Sequence, residues 1–198
     1  SSFTVVASTL SGGHKVPPNS VKLRSLAPSD WPIVRYVSFA MAYDDLSVLT
    51  DEEGLLLTKP VVEWQEATRA LAHPSNAYWI VEDGDTPVGS LYIRVCTPKL
   101  SELGNVWVAP RYRRHGLAQC LIEAAFRKLR AQHIGAVCLN VEASNKAAQR
   151  LYRKLGFAPT GRITQKAEHG AKYREYLAPL ASSSRSANPR AIRRPFLH

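Results

Sequence analysis

No run of 18 apolar residues occurs in the 198-residue chain, so a membrane-crossing helix is excluded on length and no membrane partner is expected. Cysteine is scarce. Cys96, Cys120 and Cys138 are odd in number, lie far apart and form no Cys-x-x-Cys pair. They read as small buried hydrophobes in a reducing compartment rather than as catalytic thiols. No metal site is expected. Ser1 to Leu10 lacks the charged n-region of a signal peptide, and with so few, widely spaced cysteines this leads to the expectation of a cytoplasmic protein. No internal repeat is visible.

Acidic residues are outnumbered: 16 Asp and Glu face 26 Lys and Arg, a formal charge of +10. Such an excess invites a nucleic-acid partner, but its distribution argues against one. Arg111, Arg113 and Arg114 crowd a single loop, while Arg185, Arg190, Arg193 and Arg194 lie in a Ser/Pro/Asn-containing tail. Between Tyr43 and Glu66 the bias reverses: Asp44, Asp45, Asp51, Glu52, Glu53, Glu63 and Glu66 face a single Lys59. This division suits a protein that holds an anion in one place and a cation in another. Two solvated surfaces are the plain alternative.

With 45% apolar and 21% charged residues the composition is that of an ordinary soluble globular protein, and the length suits one domain with a substantial core. Residues 1–20 are expected to be a flexible lead, 21–180 the domain, and 181–198 a basic, disordered tail. Val21 to Leu26 alternates as a strand. Pro28-Ser29-Asp30 signals a helix running to about Tyr43, with Ser29 or Asp30 as N-cap. A second helix spans about Pro60 to His73. Strands at Ala77–Glu82 and Val88–Thr97 flank the hairpin signal Asp83-Gly84-Asp85. Leu100–Ala109 is the next strand, stopped by Pro110, and His115–Gln132 a third helix with Ala118, Leu121, Ile122, Ala125, Phe126 and Leu129 on one face. Ala136–Val141 reads as a buried parallel strand, completing a right-handed βαβ unit. Asn145 caps a fourth helix that Gly156 ends, and Phe157–Thr160 and Lys172–Ala178 close the sheet.

Two segments stand out. Arg113-Arg114-His115-Gly116-Leu117-Ala118 fits Arg-x-x-Gly-x-Ala between a strand and a helix. Unpaired N–H groups at a helix start, the helix dipole and a glycine that admits close approach together suit a phosphorylated ligand. A solvated basic loop is the simpler reading. The second segment is Asn145, Ala148, Leu151, Tyr152, Gly156 and Phe157, about thirty residues later.

On these two segments the chain resembles the GNAT superfamily of N-acetyltransferases. The compatible element order covers about Val21 to Pro179. The resemblance implies an α/β fold, a GNAT-like acyl-CoA N-acyltransferase domain with a central mixed, splayed β-sheet flanked by about four helices. It implies acetyl-CoA as co-substrate, with the pyrophosphate cradled by Arg113, Arg114, His115, Gly116, Leu117 and Ala118. The pantetheine arm would pair with backbone of Val106, Trp107 and Val108, and Asn145 would cap its helix, hydrogen-bond pantetheine, or both.

Acyl transfer needs a free amine. With a pKa near 10.4, only about one alkyl amine in a thousand is unprotonated near pH 7.4, a cost of about 4 kcal/mol. A carboxylate, directly or through water, is the usual remedy. Glu102 shares strand parity with Gly104, Val106 and Val108, and resembles the glutamate that many family members carry here. An edge-strand surface carboxylate is the equal alternative. By resemblance Tyr152 is the acid for the departing thiolate, although its place on an apolar helix stripe also fits core packing. The Val108 N–H would meet charge developing on the thioester oxygen.

The acceptor is expected to be a small cationic amine, drawn by an acidic loop in which Asp51, Glu52 and Glu53 bind substrate. A protein or peptide acceptor, N-terminal or lysine, is the runner-up. A sensor that binds acetyl-CoA without catalysis is a third reading. The oligomeric state stays open, a homodimer included.

Overall fold

A computed structural model describes residues 3–4, 21–44, 59–74, 76–165 and 170–180. In chain order it has β1 (Phe3–Thr4), β2 (Val21–Ser25), α1 (Trp31–Asp44), α2 (Val61–Leu71), β3 (Asn76–Asp83), β4 (Thr86–Thr97) and β5 (Leu100–Val108). A 3-10 turn (Pro110–Tyr112), α3 (Leu117–Ala131), β6 (Ala136–Glu142), α4 (Lys146–Lys154), β7 (Ala158–Gln165) and β8 (Lys172–Pro179) follow. The strands make a mixed sheet, as expected. The described residues divide into two compact units, with β4, β5 and α3 each contributing to both. No described helix is long and apolar enough to cross a membrane.

The first unit comprises the described residues up to 94 together with 105–122. Its strands run β1-β2-β3-β4, followed by the end of β5. The expected hairpin is there: Asp83 pairs with Thr86, and Gly84 takes φ +59° in the turn. Leu26, Val34, Trp64, Tyr78 and Ile80 form the core, joining α1 and α2 to β3. Asp30 holds the N-cap position of α1, its carbonyl accepting from Ile33 and Val34. Its carboxylate does not cap the helix. It accepts from the Ala27 N–H at 2.6 Å and from Arg24, whose guanidinium also forks onto Glu82 of β3 at 2.8 and 2.9 Å. Burial works against the Asp30 charge, but Arg24 and Ala27 outweigh it and hold its pKa below the ordinary value.

The second unit comprises the described residues of 95–104 and of the chain from 123 onward. Its order is β5-β6-β8-β7. Leu100–Leu103 pairs in parallel with Ala136–Leu139, the βαβ arrangement the sequence predicts. That register ends at Leu103, although β6 continues along β8 to Glu142. Cys138 is buried with Leu100, Ala136 and Leu177, which fits a packing role for this thiol. β7 runs further than the expected Thr160. A register shift between Pro159 and Ile163, with Gly161 at φ +86°, absorbs the break and lets pairing with β8 resume.

Candidate functional site

In the first unit β5 ends with the Ala109 N–H bonded to the Val88 carbonyl at 2.9 Å. Pro110 opens the 3-10 turn, so α3 starts at Leu117, two residues later than the sequence suggests. The Tyr112 hydroxyl donates to Asp83 Oδ2 at 2.5 Å, tying the turn to the end of β3. That carboxylate raises the Tyr112 pKa. Arg113 Nε donates to the Val108 carbonyl at 2.9 Å, so this side chain folds back onto the strand it follows. Arg114 at φ +68° and Gly116 at φ +80° then turn the chain into the helix.

Where a Gly116 Cβ would stand there is nothing within 4 Å, an open space at the helix start. The first rung of α3 is Cys120 N–H to Gly116 C=O at 2.9 Å, so the Leu117 and Ala118 N–H groups precede the intrahelical ladder. His115 Nδ1 is buried without a hydrogen-bond partner among the described residues. Helix-start N–H groups, a left-handed glycine, exposed Arg114 and an orphaned imidazole nitrogen suit a phosphate-bearing ligand.

Strand parity sorts the backbone just upstream. The β4–β5 link is two residues, Pro98 and Lys99, which makes the pair antiparallel. Ala109 N–H and the Asn105 carbonyl face β4, and the Trp107 carbonyl lies 3.3 Å from where a Gly89 Cβ would be. Val106 and Val108 therefore direct their backbone groups away from β4. Trp107 is 5% exposed, its ring edge-on to Tyr36 of α1 with centroids 6.3 Å apart.

The second unit holds the other expected residues. Glu102 lies opposite Cys138 in the β5–β6 register, half-buried, and its Oε1 is 3.5 Å from Asn140 Nδ2. Asn145 caps α4 as expected, its Oδ1 accepting from the Ala148 N–H at 2.9 Å. Tyr152 is 7% exposed, and its hydroxyl has no hydrogen-bond partner among the described residues. Burial pushes its pKa up to about 12. Against a thiol near 8.5, proton donation from such a phenol is uphill by about 5 kcal/mol, so a thiolate accepting it must be desolvated too.

Sequence reasoning missed Gln149, which is 4% exposed. Its Nε2 donates to the carbonyls of Glu142 and Ala143 at 3.1 and 2.9 Å, and its Oε1 accepts from the Tyr176 hydroxyl at 3.4 Å. It ties α4 to the end of β6, and a lone polar residue on the apolar stripe was the available signal. Asp51, Glu52 and Glu53 lie outside the described residues. Among the described residues no group of three or more His, Cys, Asp or Glu could hold a metal ion.

Residues 40–157 match the acetyltransferase (GNAT) family profile. A mycothiol acetyltransferase of Catenulispora acidiphila is 34% identical over 107 residues, covering 54% of this chain and 29% of that protein. The chain spans about a third of the length of the mycothiol acetyltransferases it first matches. The ribosomal-protein-S18-alanine N-acetyltransferase of Escherichia coli superposes with TM-score 0.61 at 19% identity, covering 83% of this chain and 97% of that one. The PaiA N-acetyltransferase of Thermoplasma acidophilum, solved with coenzyme A, gives TM-score 0.62 at 16% identity, covering 79% and 98%. These structures share the fold. A profile match over more than half of the sequence, on the strand, loop and helices described above, means that the chain belongs to the acetyltransferase (GNAT) family.

Proposed function

We propose that the protein is an acetyl-CoA-dependent N-acetyltransferase whose acceptor is a primary amine, a small cationic one. The observation that carries this reading is the open, left-handed Gly116 at the start of α3, followed by the Leu117 and Ala118 N–H groups. With the orphaned His115 Nδ1 and exposed Arg114, these groups would hold the pyrophosphate. Arg113 would shape the loop through Val108. Val106 and Val108 would pair with the pantetheine arm, and Trp107 would anchor that strand against α1. Asn145 would hold the start of α4. Acetyl-CoA supplies the thioester. Glu102 would take the amine proton, directly or through water, the Val108 N–H would face the thioester oxygen, and Tyr152 would protonate the departing sulfur.

Residues 1–20 and 181–198 would then flank the catalytic domain, and a cytoplasmic setting suits three cysteines that form no disulfide. The acidic run Asp51, Glu52 and Glu53 would steer a cationic amine. A peptide acceptor is the second reading, favoured by Tyr36, Val61 and Val62, large apolar side chains left exposed on α1 and α2. Thiol release from acetyl-CoA, measured against a panel of amines and peptides, separates the two. Cationic amines should be the better substrates. Joint neutralisation of Asp51, Glu52 and Glu53 should lower kcat/KM for cations and leave neutral amines unaffected. Preference for peptides alone would support the second reading, and acetyl-CoA binding with no release would leave a sensor.

A further inference from the structure

β5 contains a residue in a conformation that strands rarely hold. Asn105 is left-handed, φ +48°, within the run Leu100–Val108. Asparagine tolerates this region better than most residues, yet inside a strand the surroundings must hold it there. The hold comes from β4. The Ser90 hydroxyl, in a residue with no exposed surface, donates to the Asn105 carbonyl at 2.8 Å. The phenol of Tyr78, 3% exposed, is buried beside both. Burial raises its pKa, while the Ser90 and Asn105 side chains pull it down. The Tyr78 ring packs on Tyr92, centroids 6.1 Å apart. One residue before Ser90, Gly89 brings β4 close to the Trp107 carbonyl. β4 therefore grips β5 at Asn105 and at Trp107, on either side of Val106.

We infer that Ser90, backed by Tyr78, is a positioning residue for the acetyl donor: its bond to the Asn105 carbonyl sets the turn in β5 that aims the Val106 and Val108 backbone groups. The inference rests on the acetyl-CoA reading above. A change of conformation at one strand residue re-aims the groups that follow it. Losing the Ser90 hydroxyl removes the donor that favours the left-handed state and loosens the pantetheine-facing strand, while the loop at Gly116 keeps its own tie through Tyr112 and Asp83.

The test titrates the full chain carrying Ser90→Ala with acetyl-CoA and with adenosine 3′,5′-bisphosphate, which has the nucleotide but no pantetheine. Acetyl-CoA affinity should fall about five- to tenfold, the effect of one buried hydrogen bond, with KM for acetyl-CoA rising in step. Affinity for the bisphosphate should not change. Tyr78→Phe, which keeps the ring, should give a smaller loss with the same pattern. Unchanged acetyl-CoA affinity in Ser90→Ala, or an equal loss for both ligands, overturns the inference and leaves the acetyl-CoA reading standing. Failure of the unsubstituted chain to bind acetyl-CoA overturns that reading, and the inference with it.

Discussion

The Phe157 N–H donates to the Tyr152 carbonyl at 3.0 Å, and the two rings meet edge to face with centroids 5.7 Å apart. Gly156, at φ +89°, donates to the Arg153 carbonyl. This is a Schellman end to α4, and the hydrophobic contact that accompanies such ends is here the aromatic pair itself. Phe126 of α3 lies behind Phe157 at 5.6 Å. The helix terminus thus fixes the ring of Tyr152 and leaves its hydroxyl without a hydrogen-bond partner among the described residues.

Tyr152→Phe should keep that packing and lose the acid. The expected result is a kcat lower by about 10²-fold, with acetyl-CoA affinity and Tm close to those of the unsubstituted protein. The pH dependence follows from the raised pKa of about 12. A phenol shifted upward stays protonated as pH rises, so Tyr152 should cause no fall in kcat between pH 7 and 10. A descending limb in that range that vanishes in Tyr152→Phe would contradict this assignment.

Glu102→Gln should lower kcat/KM about 10²-fold near pH 7.4 without changing acetyl-CoA affinity. The deficit should shrink towards pH 10, where more of the amine is already unprotonated. Rate measurements across pH 7–10 check this. A deficit that does not shrink would rule out the role of base to the amine, and no deficit at all would make Glu102 a strand carboxylate and nothing more.

Arg24 joins Asp30 and Glu82, so it ties β2 to β3 and to the entry of α1. Removing one charge with Asp30→Asn should cost about 1–3 kcal/mol at neutral pH. The Asp30 pKa is depressed by folding, so its contribution is present above about pH 3.9 and is lost as pH falls through the folded value. The Tm difference between the two proteins should be widest near pH 7 and close below about pH 4. An equal difference at both pH values would locate the cost elsewhere.

The sequence was informative where one local signal decided the structure. Gly156 ended α4, Asn145 capped it, and Asp83-Gly84-Asp85 closed the hairpin. It misled where a local signal met a distant partner. Asp30 does take the N-cap position, but Arg24 and the Ala27 N–H claim the carboxylate expected to cap the helix. The β7 strand outlasts its expected end because the Gly161 bulge lets β8 recapture it. The grip of Ser90 on Asn105, fifteen residues away, joins two strands, and Gly104 marks only that β5 can bend there. Asp51, Glu52 and Glu53 stand out in the sequence by charge alone, outside the described residues.

The central claim is that the segment from β5 to the start of α3 holds acetyl-CoA, and calorimetric titration of acetyl-CoA into Gly116→Asp tests it most directly. An aspartate there would put bulk and negative charge into the open space at the helix start, in a backbone region that costs an L-residue about 1–2 kcal/mol. The account predicts that the unsubstituted chain binds and that the variant, with its fold intact by circular dichroism, binds at least about tenfold more weakly. Equal affinity in the two proteins would contradict it.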